Sequence, residues 1–136
     1  MINSRLAVAI HILSLINTFK EEHATSEWIA TSVNTNPVVI RRISSQLKKA
    51  GIIENQVGGS GSALVKSPSE ITLLDVYRAV QTEKDLFSIH EAPNPKCPVG
   101  KNIQAALQDV FQDVQNAMEK ELAHKTLADI LNQLSI

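Results

Sequence analysis

Apolar residues recur at helical spacing through residues 27–49, and one short polar segment interrupts them. The pattern predicts two helices, residues 27–33 and 37–49, joined by a turn at residues 34–36. The apolar positions that can face a common core are Ile29, Val33, Ile40, Ile43 and Leu47. Two helices joined by so tight a turn are typical of a helix-turn-helix, which lays its second helix in the major groove of DNA.

The residues of the turn suit its geometry. Asn34 stands where the chain needs a left-handed conformation, which Asn tolerates better than most residues. Asn36 can cap the second helix, and Pro37 then occupies the first helical position, where its missing N–H costs nothing. We expect Val38, Arg41, Arg42 and Gln46 to point away from the core. Among the residues near the start of this helix, the candidate DNA contacts are Thr35, Asn36, Pro37, Val38, Arg41 and Arg42.

A β-hairpin is predicted directly after this helix, which Gly51 ends. Residues 52–57 and 63–65 read as strands, and the glycine-rich segment 58–62 joins them. A hairpin at this position is the wing of a winged helix, which rests on the phosphate backbone or enters the minor groove. Gly59, Ser60 and Gly61 are therefore further candidate DNA contacts, and a solvent loop without contacts is the alternative.

The second half of the chain contains a long amphipathic helix. Pro93, Pro95 and Pro98 forbid regular structure before it, and a Thr-Leu-Ala-Asp capping box at residues 126–129 begins a short final helix. The apolar stripe of the long helix consists of Ile103, Leu107, Val110, Phe111, Val114, Met118 and Leu122. This stripe could fold back on its own domain, but a long helix after a proline hinge favours pairing with a second chain. We predict a homodimer held by these residues.

Together these elements predict a mainly α fold with a small β-hairpin wing. Residues 1–84 would form a winged helix-turn-helix DNA-binding domain. Residues 85–100 would form a proline-rich loop that contains Cys97, and residues 101–136 a dimerisation helix with a short terminal helix.

Charge is distributed unevenly along the chain. The 136 residues carry a net charge of −1, yet residues 1–66 hold seven Lys or Arg and four Asp or Glu, a surplus of +3. Residues 67–136 hold six and ten respectively, a balance of −4. The basic surplus therefore accompanies the predicted DNA-contacting helix, as expected for a module that holds phosphates at one end.

The single cysteine, Cys97, excludes an intramolecular disulfide and a cysteine-rich metal site built from one chain. We expect a cytoplasmic protein without a membrane segment, because the apolar run 6–16 is too short to span a bilayer and no cleavage site follows it. Cys97 is a candidate redox or ligand residue, since Lys96, Lys101 and a helix N-terminus would lower the pKa of its thiol. An inert cysteine is the alternative. His90 and Glu91 alone do not make a convincing catalytic set around Cys97, so no enzyme is predicted.

The whole layout resembles the Rrf family of bacterial winged-helix regulators, the group that contains IscR, NsrR and CymR, and among them the YwnA-type members. The resemblance extends over nearly the whole chain and is most specific at residues 1–13 and 94–101. It implies a homodimeric transcription factor, usually a repressor, that binds a palindromic operator. Sensor members hold an iron–sulfur cluster with three cysteines before the long helix, and here only Cys97 matches, so no cofactor is expected. Many members carry an arginine before the wing glycines, where this chain has Val57.

The sequence thus predicts a homodimeric DNA-binding regulator whose effector is unknown. The alternative is a winged-helix module that binds proteins and has lost DNA binding. Salt dependence separates the two, because operator binding weakens steeply as salt rises.

Overall fold

The computed structural model describes residues 4–20, 24–58, 61–82 and 87–135 of the 136-residue chain. It is mostly helical and contains one two-stranded antiparallel sheet. In chain order the elements are α1 (Arg5–Thr18), α2 (Ser26–Val33), α3 (Pro37–Lys49), β1 (Ile53–Asn55), β2 (Ser62–Leu64), a 3-10 turn (Pro68–Glu70), α4 (Leu73–Val80), α5 (Pro98–Ala123) and α6 (Leu127–Leu134). The predicted fold class, mainly α with a hairpin wing, is confirmed.

The chain divides into two units. Residues 1–81 together with residues 122–136 form the first, and residues 82–121 form the second. The first unit contains the hydrophobic core, in which α1 is central: Ile12 and Leu13 are fully buried. The core residues contributed by the other elements include Ile29, Ala30, Ile40, Ile43, Leu47, Ile53, Ile71, Val76, Val80 and Leu127.

The turn between α2 and α3 has the predicted local structure. Asn34 is left-handed, with φ of 62° and ψ of 53°, and the backbone N–H of Thr35 donates to the Ala30 carbonyl at 3.0 Å. This pair of features is a common way to end a helix while satisfying its last carbonyls. Asn36 caps α3, and Pro37 occupies its first turn. The turn therefore reverses the chain within three residues and fixes where α3 begins.

The wing is a short hairpin. Ile53 pairs with Leu64, Glu54 with Ala63 and Asn55 with Ser62 in an antiparallel register. The N–H of Gln56 donates to the carbonyl of Gly61 at 3.2 Å, which closes the hairpin beyond the strands. The first strand is shorter than predicted, and the second has the predicted length but begins one residue earlier. The tip residues Gly59 and Ser60 lie outside the described residues.

The final helix belongs to the core of the first unit. The sequence grouped it with the long helix in residues 101–136, and the contacts do not follow that grouping. Leu127 is fully buried, its N–H donates to the Ile71 carbonyl at 2.9 Å, and Thr72 forms an isolated bridge with Thr126. The capping box is present, with Thr126 and Asp129 each bonding the other's backbone N–H. Because the chain segments before α4 and α6 pair with each other, α6 returns to the N-terminal core.

The second unit consists of the loop after α4 and most of α5. The predicted long helix is present and begins at Pro98. Of the described residues between 82 and 121, only Gln115 is buried. The aromatic rings of Phe87 and Phe111 pack with their centroids 5.2 Å apart. This unit therefore has no hydrophobic core of its own within its described part.

Candidate nucleic-acid interface

The helix α3 has one buried and one exposed face, as an amphipathic sequence requires. Ile40, Ile43 and Leu47 are buried in the core, at spacings of three and four residues. Arg41 and Arg42 are exposed on the other side. The packing of the aliphatic side chains thus fixes the rotation of the helix about its axis, and that rotation determines that both guanidinium groups face solvent.

The other candidate DNA contacts differ in exposure. Asn36 and Val38 are exposed, and Val38 lies 48% open to solvent beside the start of α3. Thr35, Pro37 and Gly61 are half-buried, whereas Gly59 and Ser60 lie outside the described residues. The exposed candidates at the start of α3 and in its first two turns are therefore Asn36, Val38, Arg41 and Arg42. The candidates in the wing lie on a separate element.

Arg41 has an acidic neighbour that the sequence did not reveal. Its Nη1 lies 3.3 Å from Oε1 of Glu27, on the first turn of α2. The two side chains remain 53% and 70% exposed, respectively. The residues are 14 positions apart in sequence, so only the packing of α2 on α3 brings them together.

Gln46 does not belong to the outward-facing set that the sequence predicted. Its Oε1 accepts a hydrogen bond from Nη2 of Arg5, whose Nε also donates to the Val80 carbonyl at 2.8 Å. Arg5 thereby joins α1, the middle of α3 and the end of α4. Periodicity along one helix cannot identify such a partner, because it comes from a residue 41 positions away.

Trp28, although large and apolar, lies at the surface with a relative exposure of 40%. Its ring meets that of Phe19 in an edge-to-face arrangement with centroids 5.3 Å apart. The pair covers one side of α2, where the half-buried Phe19 closes the end of α1. His11 on α1 reaches the same helix: its Nε2 lies 3.1 Å from the Ser32 hydroxyl.

The wing presents an apolar side chain beside its tip. Val57 is 97% exposed, next to Gly58, whose φ is 74°. A valine side chain so open to solvent makes no contribution to the core. Its position is the one where the resemblance places an arginine, so a cation that could enter a groove is missing from that place.

Cys97 immediately precedes α5 and is a free, exposed thiol. Hydrogen bonds from the backbone N–H groups of Gly100 and Val99 lower the pKa of Cys97. These N–H groups belong to the first helical turn and have no backbone acceptor within the helix. They can therefore stabilise the thiolate. Gly100 has a further role, because a Cβ there would overlap the carbonyl oxygen of Asn94. The same carbonyl accepts a hydrogen bond from the backbone N–H of Cys97 at 3.3 Å, so the backbone of the loop packs closely against the start of α5.

Within the described part of the chain, no helix is both long enough and apolar enough to cross a membrane.

Comparison with known proteins identifies the chain's relatives. Residues 2–133 match the model of the Rrf2 family, described as "Iron-dependent Transcriptional regulator". The chain is 61% identical to YwnA of Bacillus subtilis strain 168, named as an HTH-type transcriptional regulator, over 98% of this chain and 99% of that protein.

Solved structures agree with this assignment. A crystal structure described as that of a DNA-binding protein is 56% identical, with a TM-score of 0.78, and the match covers 94% of this chain and 99% of that one. The structure of CymR, the global cysteine regulator of B. subtilis, has a TM-score of 0.68 at 20% identity, covering 97% of this chain and 96% of that one. The latter similarity establishes a shared fold.

The family description mentions iron, and an iron–sulfur cluster requires several suitable donor atoms in the protein. Such clusters are held by four ligands, mostly cysteine thiolates. The chain has one cysteine. Among the residues that the structure describes, no three His, Cys, Asp or Glu side chains converge on a point that could hold a metal. These donors do not fit a cluster held as in the three-cysteine sensors.

The family and YwnA are described as transcriptional regulators rather than enzymes. The solved structures share the architecture built here from α1 to α6. The family model extends from the first helix to the last and includes the helix-turn-helix, the wing and the long helix. The chain belongs to the Rrf2 family of DNA-binding transcriptional regulators.

Proposed function

We propose that this protein is a homodimeric repressor that binds a palindromic operator with α3 in the major groove and the wing on the adjacent backbone. The observation that carries the proposal is the orientation of α3. Its aliphatic side chains are buried, while Arg41 and Arg42 lie exposed on its outer face. Arginine reads guanine through two acceptor atoms in the major groove and also binds phosphates, so these two residues are the proposed principal contacts.

The other proposed contacts surround these arginines. Thr35, Asn36, Pro37 and Val38 lie at the start of α3, the end that enters the groove in a helix-turn-helix. In the wing, Gly59, Ser60 and Gly61 are proposed to approach the phosphates, since small residues let a backbone come close to a ligand. Asn36 also caps the helix, so its contribution to binding and its contribution to folding have to be measured separately.

The dimer is proposed to form through the apolar stripe of α5. None of the residues of this stripe is buried, and Val110 and Val114 are 55% and 41% exposed. A second copy of the chain would cover this surface and so supply the core that the described part of the second unit lacks. Two-fold symmetry would then present two copies of α3, which matches a palindromic site. The proposed stripe is Ile103, Leu107, Val110, Phe111, Val114, Met118 and Leu122.

Cys97 is proposed to make DNA binding responsive to oxidants. Its exposure and its lowered pKa support the presence of a nucleophilic thiolate. Attack of the thiolate on hydrogen peroxide breaks the O–O bond and forms a sulfenic acid and hydroxide. Cys97→Ser would then abolish any effect of peroxide on DNA binding, and an identical response in both proteins would remove Cys97 from the mechanism.

The proposal is tested by selecting bound fragments from the source genome with purified protein, with and without oxidant. We expect enrichment of fragments that share an inverted repeat, and binding that weakens steeply as salt rises. Sedimentation in the absence of DNA should give the mass of a dimer. Failure to enrich any fragment, together with binding that does not change with salt, would contradict the proposal and favour a module that binds proteins.

A further inference from the structure

We propose that Glu27 is a positioning residue that restrains Arg41 and so sets how well the protein distinguishes its operator from other DNA. The inference rests on the proposed function, because it assigns Glu27 a role within that same site. Glu27 lies on α2 and Arg41 on α3, and their charged groups are 3.3 Å apart. Neither side chain is needed to fill the core, since both are exposed.

The pair joins the two helices of the motif at their outer surface. Glu27 occupies the first turn of α2, whose start is fixed by Thr25, since the Thr25 hydroxyl accepts from the N–H of Trp28 at 3.2 Å. The position of Arg41 on α3 is fixed by the buried Ile40 and Ile43 on either side of the two arginines. Both backbones are therefore held, and the contact depends on side-chain rotation alone.

An arginine held by a carboxylate differs from a free one in two respects. One of its five N–H donors is occupied, so the remaining donors face a narrower range of directions. Its charge is also partly balanced, which weakens its attraction to phosphates on DNA of any sequence. Guanine offers two acceptors at fixed positions, so a restrained arginine retains this contact better than it retains phosphate contacts. The carboxylate should thus lower nonspecific binding more than operator binding.

Arg42 provides an internal comparison. It is the next residue on the same helix, carries the same charge and is also exposed, but Glu27 bonds to Arg41. If Glu27 acts through Arg41, its removal should have an effect that depends on Arg41 and not on Arg42. A general effect of removing one negative charge would persist in both arginine variants.

The experiment measures the affinity of the full-length protein for an operator fragment recovered by the selection and for a scrambled fragment, over a range of salt concentrations. The variants are Glu27→Gln, Arg41→Ala, Arg42→Ala, and the combinations Glu27→Gln/Arg41→Ala and Glu27→Gln/Arg42→Ala. Glu70→Gln is the matched control, because Glu70 is an exposed carboxylate of the same unit, in the 3-10 turn and outside the proposed DNA contacts. Thermal unfolding shows whether each variant is folded.

We expect Glu27→Gln to bind scrambled DNA about three- to tenfold more tightly at low salt, the effect of a weak exposed pair counted twice in a dimer. Affinity for the operator should change less. The ratio of operator affinity to scrambled-DNA affinity should therefore fall by a similar factor. The salt slope on scrambled DNA should steepen by up to about 0.9 for each freed arginine that binds a phosphate. The fall in the ratio should persist in the Arg42→Ala background and disappear in the Arg41→Ala background.

Two results would overturn the role of Glu27 alone. In the first, the wild-type protein discriminates between the two fragments, but Glu27→Gln shows the same ratio of operator affinity to scrambled-DNA affinity. The second is a fall of equal size in Glu70→Gln or in the Arg41→Ala background, which would indicate a general charge effect. Wild-type protein that does not discriminate between any fragments would overturn the proposed function as well.

Discussion

The side-chain oxygen of Asn36 accepts a hydrogen bond of 2.8 Å from the backbone N–H of Val38. This bond satisfies one of the amide groups that have no partner at the start of a helix, and it fixes where α3 begins. The positions of Arg41 and Arg42 follow from that starting point, because each lies a set number of residues into the helix.

Asn36→Ala is expected to destabilise the protein by about 1 kcal/mol, the usual cost of removing a helix N-cap. For a chain of this size the melting temperature should fall by about 4 °C, measured without DNA and at a matched protein concentration. Asn36→Ser should retain most of the stability, because serine is also a good cap. An alanine variant that melts with the wild type would show that the cap contributes nothing to folding.

Val57→Arg is expected to strengthen DNA binding if the wing contacts the backbone. The side chain is almost fully exposed beside the hairpin tip, so the substitution should not disturb the core. Each new phosphate contact should steepen the salt slope by about 0.9. Val65→Arg is the control, since Val65 is also exposed but lies at the opposite end of the hairpin. If Val57→Arg strengthened DNA binding no more than Val65→Arg did, the wing tip would not contact the DNA backbone.

Gly100→Ala is expected to destabilise the protein, although alanine at a helical position normally stabilises by about 1 kcal/mol relative to glycine. The sign should reverse because the added methyl group would overlap the carbonyl oxygen of Asn94, a backbone atom that cannot rotate away. Urea unfolding gives the free energy of unfolding, and Ala105→Gly, at an exposed position of the same helix, calibrates the propensity effect. A Gly100→Ala variant more stable than the wild type would contradict the close approach of this loop.

Alkylation of Cys97 by iodoacetamide should have a lower pH midpoint in the folded protein than in urea. The N–H groups of Gly100 and Val99 lower the pKa of the folded thiol, so the thiolate forms at a lower pH there. By linkage, this favours folding above the unfolded pKa, and the contribution is lost as pH falls through the folded pKa. Equal midpoints in the two states would show that the helix does not stabilise the thiolate.

Local sequence signals predicted the parts of this fold that depend on neighbouring residues. Asn34, Asn36 and Pro37 specify the turn because their conformational preferences act within a few positions. The capping box at Thr126 formed for the same reason. The long helix was predictable because its apolar residues recur over many turns.

Contacts between residues far apart in sequence could not be predicted from such local signals. The terminal helix has an apolar face that would suit either unit, and its assignment to the first comes from the burial of Leu127 and from the backbone pairing of residues 125–127 with residues 71–73. The interaction of Gln46 with Arg5 and that of Arg41 with Glu27 join residues far apart in sequence. Trp28 is large and apolar, a combination typical of core residues, yet the core-facing residues of α2 are Ile29 and Ala30 and Trp28 lies at the surface.

Operator binding by Arg41→Ala/Arg42→Ala tests directly whether α3 is the helix that reads DNA. We expect the double variant to form the same dimer, to melt close to the wild type and to show no operator binding at concentrations where the wild type saturates. Single contacts of this kind each contribute about 1–3 kcal/mol of base discrimination, and a dimer would lose four arginines. A double variant that binds the operator with wild-type affinity and the wild-type salt slope would contradict the assignment of α3 as the helix that reads DNA.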